Sequence, residues 1–461
     1  MKELSEGLRH SPGRRAPVDC PRSLRTPRGL KVVLLVALVI GTAPTVRANE
    51  FAQLIFTPHF SLANPGARSL GLGGAFLALA DDATAAIANP AGLVQLARPE
   101  ISVEGRYWSY SSPYTVSGNV QGTPTGIGLD TELGLKTAVS SDDTTGLSFL
   151  SFVYPRGRWS FALYRHLYLK FESAAFTQGL FKDGRFTRDR YLDQVTTADA
   201  LITSYGFSSA VRITDSLSLG LGLVLYDADI TMIGSVHRWD NPDNLLGSPT
   251  TFRPENLMTT TTMIQNDMDM GITGGFLWDI SPVWRLGGKF REGPEIEVGA
   301  GFVMGPANSF GLPPGYELVI DRLATAKYPD TFGLGVAFRS PGGRWTAALE
   351  WDRITYSEMP KSLELDDQTA DDGDEVHVGG EYVFLGSRPL LALRAGAWLD
   401  PDHVLRATSD DPYTQALLRP AGDQMHYAVG FGMAFESFQL DGAVDFSELV
   451  DTISLSAIFS F

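Results

Sequence analysis

From about residue 99 to the C-terminus, apolar side chains recur at every second position. Leu217, Leu219, Leu221, Leu223 and Leu225 alternate with Ser216, Ser218, Gly220 and Gly222. Tyr427, Val429, Phe431, Met433 and Phe435 alternate with His426, Ala428, Gly430 and Gly432. Met268, Met270, Ile272, Phe276 and Trp278 oppose Asp267, Asp269 and Thr273, and Ile453 to Phe461 repeats the pattern against serines. A period of two is that of a β-strand with one apolar face and one small or polar face. The chain is therefore all-β over most of its length.

A soluble sandwich alternates too, so the spacing of turns decides. Short turn signals fall at Pro155–Arg158, Thr214–Ser216, Ser281–Val283, Pro341–Gly343, Gly386–Arg388 and Glu436–Ser437. Long polar connections lie between them at 111–144, 174–197, 234–261, 304–330, 358–373 and 401–424. Six short turns make six hairpins. One strand before them and one after give a predicted barrel of fourteen antiparallel strands over residues 99–461. Short turns on one rim and long loops on the other mark a transmembrane barrel. Trp159, Trp278, Trp284 and Trp345 stand near short turns, where an aromatic girdle would meet the lipid headgroups. Phe461 closes an alternating strand, and a terminal aromatic is a signal for barrel-insertion machinery.

The second face carries Glu104, Arg106, His166, Lys170, Asp267, Asp269, Arg285, Lys289, Arg291, Glu350, Asp352, His377, Glu381, Arg394, His426, Asp441 and Asp445. On the lipid face such groups would cost about 2–4 kcal/mol each at mid-depth, so this face is expected to line a wet lumen. Mutual pairing accounts for most of them. Arg285, Lys289 and Arg291 are the candidates for attracting a ligand carboxylate.

A net charge of −16 disfavours nucleic acid, which needs a basic surface. One cysteine excludes a disulfide framework and any multi-cysteine metal site, and no cofactor or metal is expected. The apolar run Val32–Ile40 follows Arg22, Arg25, Arg28 and Lys31 and precedes Val46-Arg47-Ala48. It is too short for a spanning helix, so residues 1–48 read as a cleaved export signal, with the outer membrane of a bacterial cell as destination. That piece holds nine basic and three acidic residues, so its removal takes the charge from −16 to −22.

Residues 49–98 do not alternate. They are small and apolar, with Gly71-Leu72-Gly73-Gly74 and an alanine-rich run from Ala75 to Ala88, and suit a plug inside the lumen. Gly71 and Gly73 suggest a dinucleotide fingerprint, but Phe76 replaces its third glycine and no strand–helix unit surrounds it. Asn64–Val94 as a unit resembles the N-terminal segment of FadL-type outer-membrane transporters for long-chain fatty acids and other hydrophobic compounds. The resemblance rests on Gly66-Ala67-Arg68, Gly71, Gly73, Gly74, Asp81, Asp82, Asn89, Pro90 and Ala91. Ala324–Asp352 looks like that family as well.

The resemblance implies an N-terminal hatch, ligand capture by two extracellular loops, and exit sideways through the wall. Here those loops would offer Leu245, Leu246, Phe252 and Leu257, with Phe310, Leu312, Tyr316 and Leu318. The implied partners are a fatty acid or hydrocarbon, outer-membrane lipid and lipopolysaccharide. The family also includes members serving protein secretion, so a secretion or structural partner is the alternative. An outer-membrane hydrolase would need a Ser–His pair on the lipid face, and the strand histidines point inward by parity, so no enzyme is expected. Asp366–Glu375 lacks the spacing of an EF-hand loop. A non-selective porin would have no plug.

Overall fold

The computed structural model describes residues 62–461 except 122, 125, 127, 184–189, 239–251, 364, 366 and 367. The expected export signal therefore lies outside the described residues. Fourteen antiparallel strands close into a barrel. They are β1 (Glu100–Gln121), β2 (Leu135–Arg156), β3 (Trp159–Thr177), β4 (Asp193–Arg212), β5 (Leu217–His237) and β6 (Leu257–Asp279). Next come β7 in two segments (Trp284–Arg291, Glu295–Met304) and β8 in two segments (Glu317–Lys327, Thr331–Arg339). The rest are β9 (Trp345–Ile354), β10 (Gly373–Phe384), β11 (Leu390–Asp400), β12 (Gln424–Ala434), β13 (Phe438–Phe446) and β14 (Val450–Ser460). Closure is by β1 on β14, from Glu100↔Ser460 to Tyr110↔Val450.

The six tight turns sit where the sequence signals them. Four of the six long connections are shorter than the polar runs suggested, while 355–372 and 401–423 keep their length. Residues 111–144 are mostly strand, because β1 and β2 have 22 residues each. At a rise of about 3.3 Å, such strands reach about 70 Å, or about 50 Å along the barrel axis at a 45° tilt. A hydrocarbon layer is about 30 Å thick, so they stand above it. One connection on the loop rim, 447–449 between β13 and β14, is short.

Parity follows burial. Leu221 is 69% exposed while Gly220 and Gly222 face inward, and the four rim tryptophans are 46–59% exposed. Lys170 is a correction. The register of β3 on β4 shifts between Leu167 and Leu169, which reverses the parity of everything above. Phe171 and Ser173 are buried, and Lys170 instead donates from Nζ to the Thr145 carbonyl (2.7 Å).

Two stretches of wall lack ladder pairing. β2 and β3 pair only from Phe149↔His166 down to Arg156↔Trp159. β6 pairs with the first segment of β7 at 273–279 and with the second at 259–264, which leaves 265–272 unpaired. Pro294 cannot donate to a ladder, and the strand breaks there. Carboxylates take over: Asp269 accepts from the Glu295 N–H (2.7 Å) and Glu292 from the Ile272 N–H (3.0 Å). Asp267 and Asp269 thus seal this wall.

Candidate functional site: the lumen and its break to the side

Residues 62–96 run against inward-facing groups of the wall. Helix α1 (Ala67–Gly71) begins after Gly66, whose N–H is held by the Glu104 carboxylate (2.9 Å). Gly73 and Gly74 follow at φ +62° and +80°, a region that favours glycine. Helix α2 (Ala85–Ala88) and a 3₁₀ turn (Pro90–Gln95) complete the segment. Asn89, extended as expected before proline, caps that turn by accepting from the Ala91 N–H (3.2 Å). Its amide also donates to the Phe276 carbonyl of β6 (3.0 Å).

The small residues of the inner face now have a reason. A Cβ on Gly396 would overlap the Gly73 nitrogen, one on Gly379 the Leu72 carbonyl, and one on Gly220 the Ala91 nitrogen. Backbone meets backbone along this contact, leaving no room for a side chain.

Charges fix the segment in place. Arg68 holds Glu381 of β10 through two bonds (3.0 and 3.1 Å) and Asp81 through a third (2.5 Å). Glu381 continues to Arg394 (2.7 Å), and Arg394 to Asp441 (2.6 Å). Asp81 also pairs with Arg339 (2.8 Å). Burial would raise the Asp81 pKa, but Arg68 and Arg339 outweigh it and hold it at about 2. For Asp82 burial prevails and the pKa rises, although its carboxylate accepts from the Thr84 N–H (2.9 Å). Glu350 of β9 accepts both the Phe76 and Leu77 N–H groups (2.8 and 2.7 Å).

Above this contact lies a cavity of about 60 Å³, room for about four waters. Leu70 and Gly74 form its floor, and Leu167, Tyr168 and Leu169 line it beside the seam between β2 and β3, which has no ladder there and is bridged by Lys170 to the Thr145 carbonyl (2.7 Å) and by Ser173 to Ser140 (3.3 Å). The cavity therefore reaches the one stretch of β3 that has no ladder on its β2 side.

The three candidate cations separate. Arg285 lies near a tight turn, bonded to Asp279 (2.5 Å) and to Gln95. Lys289 is shared by Glu350 (3.0 Å) and Asp352 (2.7 Å). Arg291 is buried in the cavity wall with no carboxylate in ion-pair range among the described residues. Its Nη2 donates to the Leu62 carbonyl (3.2 Å), and the guanidinium lies 5.5 Å over the Tyr168 ring. Nε and Nη1 have no hydrogen-bond partner among the described residues.

Of the loop residues, Leu245 and Leu246 fall outside the described residues. Phe252 packs edge-on against His237 (5.3 Å) and Phe176 (6.1 Å). Leu257 accepts from the Ala307 N–H (2.9 Å), so the two expected loops meet there. Phe310 and Leu312 are half-buried, while Tyr316 and Leu318 are exposed.

Sequence reasoning placed a long polar connection at 401–424 but missed the helix within it. After helix α3 (Glu358–Ser362) in the preceding long connection, this one carries helix α4 (Pro412–Leu417), capped by Asp411, which accepts from the Thr414 N–H (2.9 Å). Tyr413 is buried, stacked on Tyr191 (4.1 Å) and bonded to Gln194 of β4, and Thr115 of β1 donates to the Ala416 carbonyl (2.5 Å). The helix belongs to one apolar cluster with Tyr110, Tyr168, Tyr226 and Ile202. Asp411-Pro412 is a helix-start signal that could have found it.

Residues 52–451 match the family described as outer membrane protein transport protein (OMPP1/FadL/TodX). The chain belongs to this family. Its fold is shared by solved structures at low identity. A Pseudomonas aeruginosa FadL homologue matches at 16% identity and TM-score 0.58, covering 88% of this chain and all of that one. The P. putida toluene transporter TodX matches at 13% and 0.53, covering 87% and 99%. The Ralstonia pickettii toluene transporter TbuX matches at 14% and 0.51, covering 87% and 100%. A comparison with curated proteins finds no match. Membership in the FadL/TodX family makes the barrel an outer-membrane protein and a transport protein. The inward lumen, apolar outer belt and tryptophan rim agree with that setting.

Proposed function

We propose that this protein admits hydrophobic small molecules across the outer membrane and releases them sideways into the bilayer. The carrying observation is the cavity that joins the 62–96 segment to the seam between β2 and β3, which is held by side-chain bonds in place of a ladder. A solute in the lumen could leave there without crossing water. On this reading residues 49–98 act as a hatch, residues 1–48 as the export signal and Phe461 as the insertion signal. Phe252, Leu257, Phe310, Leu312 and Tyr316, with Leu245 and Leu246, form the capture surface beneath the lipopolysaccharide layer.

Arg291 supports an amphipathic acid as cargo in preference to a neutral hydrocarbon. A buried guanidinium without a carboxylate gains by meeting one, since removing charge from water is costly until it is paired. Arg285 and Lys289 are already neutralised by the protein.

The test is uptake of labelled oleate and labelled toluene by cells lacking their own transporter. Oleate uptake that falls at least tenfold in Arg291→Gln, with toluene unaffected, is expected. Wild-type protein that carries neither would favour the secretion or structural-partner role.

A further inference from the structure

We propose that Asp352, Glu375 and His377 form a binding site for one borderline divalent cation of the Zn²⁺ class, on the cavity wall beneath β9 and β10. The proposal goes beyond transport and does not depend on what the lumen carries. Antiparallel register sets Asp352 opposite Glu375 and Glu350 opposite His377. One potential ligand atom from each of Asp352, Glu375 and His377 lies within 4.8 Å of the others, and all three residues are buried.

The tautomer of the imidazole suits a metal. Nδ1 lies 2.8 Å from the Gly73 carbonyl, which can only accept, so Nδ1 carries the proton. Nε2 lies 3.2 Å from Glu375 Oε2, a contact that either a proton on Nε2 or a bound metal ion can join. That separation is close to the ligand–ligand edge of about 3.3 Å given by metal–ligand bonds of about 2.0–2.1 Å in a tetrahedron. A ligating histidine whose other nitrogen donates to a backbone carbonyl is the usual outer-shell arrangement.

Independent signs of an unmet partner come from the carboxylates. Asp352 and Glu375 are each more than nine-tenths buried and line the cavity. Oδ1 of Asp352 and Oε1 of Glu375 are buried without a hydrogen-bond partner among the described residues. Charge points the same way. Glu350, Asp352 and Glu375 have Lys289 as their ion-paired lysine, which occupies Oδ2 of Asp352 and Oε1 of Glu350. Three carboxylates face one lysine here, an acidic surplus that a bound divalent cation offsets. Imidazole with carboxylates selects the zinc, iron and manganese class over calcium.

The test uses the full chain without a histidine tag, purified in detergent, stripped with chelator and titrated with Zn²⁺ by calorimetry. One equivalent is expected to bind, Ca²⁺ should not compete, and His377→Gln and Glu375→Gln should each weaken binding at least tenfold. His237→Gln, remote from the cluster, should bind as wild type does. Co²⁺ added to the stripped wild-type protein gives visible ligand-field bands that Zn²⁺ removes, a readout independent of how the variants fold. Absence of the bands, or binding unchanged in both His377→Gln and Glu375→Gln, overturns the site.

Discussion

The lower and upper halves of this lumen are filled by different physics. Below, residues 62–96 meet the wall backbone to backbone at Gly220, Gly379 and Gly396, and buried ions tie the contact. Above, Tyr110, Tyr168, Tyr226 and Tyr413 fill the barrel with rings, and helix α4 closes over them. Backbone contacts with bound carboxylates have one good geometry and a high cost of leaving it. Ring contacts can slide and repack at small cost. On the proposed reading the lower half would stay in place and the upper half would yield to a solute.

Removing one ion from the lower half should give the largest effect. Glu350→Ala frees two backbone N–H groups and leaves Lys289 with one carboxylate fewer. Breaking a buried ion pair costs about 3–5 kcal/mol, enough to release the inner segment while the strand ladder stays intact. Ion conductance in a planar bilayer is expected to rise several-fold at unchanged barrel stability. Conductance equal to that of wild type would mean that the lower half is not what closes the lumen.

The matching change above is Tyr413→Ala. Truncating a buried aromatic costs about 3–5 kcal/mol in a rigid core, and less where a loop helix can resettle. Conductance should stay low, because the lower half is untouched, while exchange of a fluorescent fatty-acid analogue with the lumen speeds up. A conductance rise as large as that of Glu350→Ala would erase the distinction between the halves.

These halves were unequally legible in the sequence. Strand number, tight turns and outward faces follow from period two, because lipid demands an apolar residue at every second position. Glycines at 220 and 430 were visible as small residues, but the backbone they admit was not, since that contact joins positions hundreds of residues apart. Lys170 was misplaced because a one-residue bulge leaves no mark in the pattern. The pairing of Lys289 and the isolation of Arg291 depend on which strands are neighbours. Asp352, Glu375 and His377 have no motif spacing, and only the β9–β10 register joins them.

Acid should loosen the lower half selectively. Asp81 is held at about 2 by Arg68 and Arg339, below its ordinary value near 4. A depressed carboxylate contributes stability that is fully present above the ordinary pKa and is lost as pH falls through the lowered one. The shift corresponds to about 2 kcal/mol, so leak should begin between about pH 4 and pH 2. Asp81→Asn should leak already at pH 7 and show a flatter profile. A wild-type leak that begins near pH 6 would assign closure to a different group.

The smallest effect is expected at the rim. Phe310 is half-buried in the loop that follows β7, and Phe252 is partly engaged with His237 and Phe176. Neither is a fully presented surface, so each can offer a ligand only part of a ring. A contact of about 50 Å² at about 25 cal/mol per Å² is worth about 1 kcal/mol, or roughly fivefold in affinity. Phe310→Asp should therefore cut initial oleate uptake about fivefold at low concentration and little at saturation, because capture and not passage is weakened. Phe252→Asp should lose more than that, since it also disrupts the packing on Phe176. Uptake unchanged in both variants at low oleate would remove these residues from capture. It would leave the yielding upper half, closed by helix α4 and Tyr413, as the place where a solute is first held.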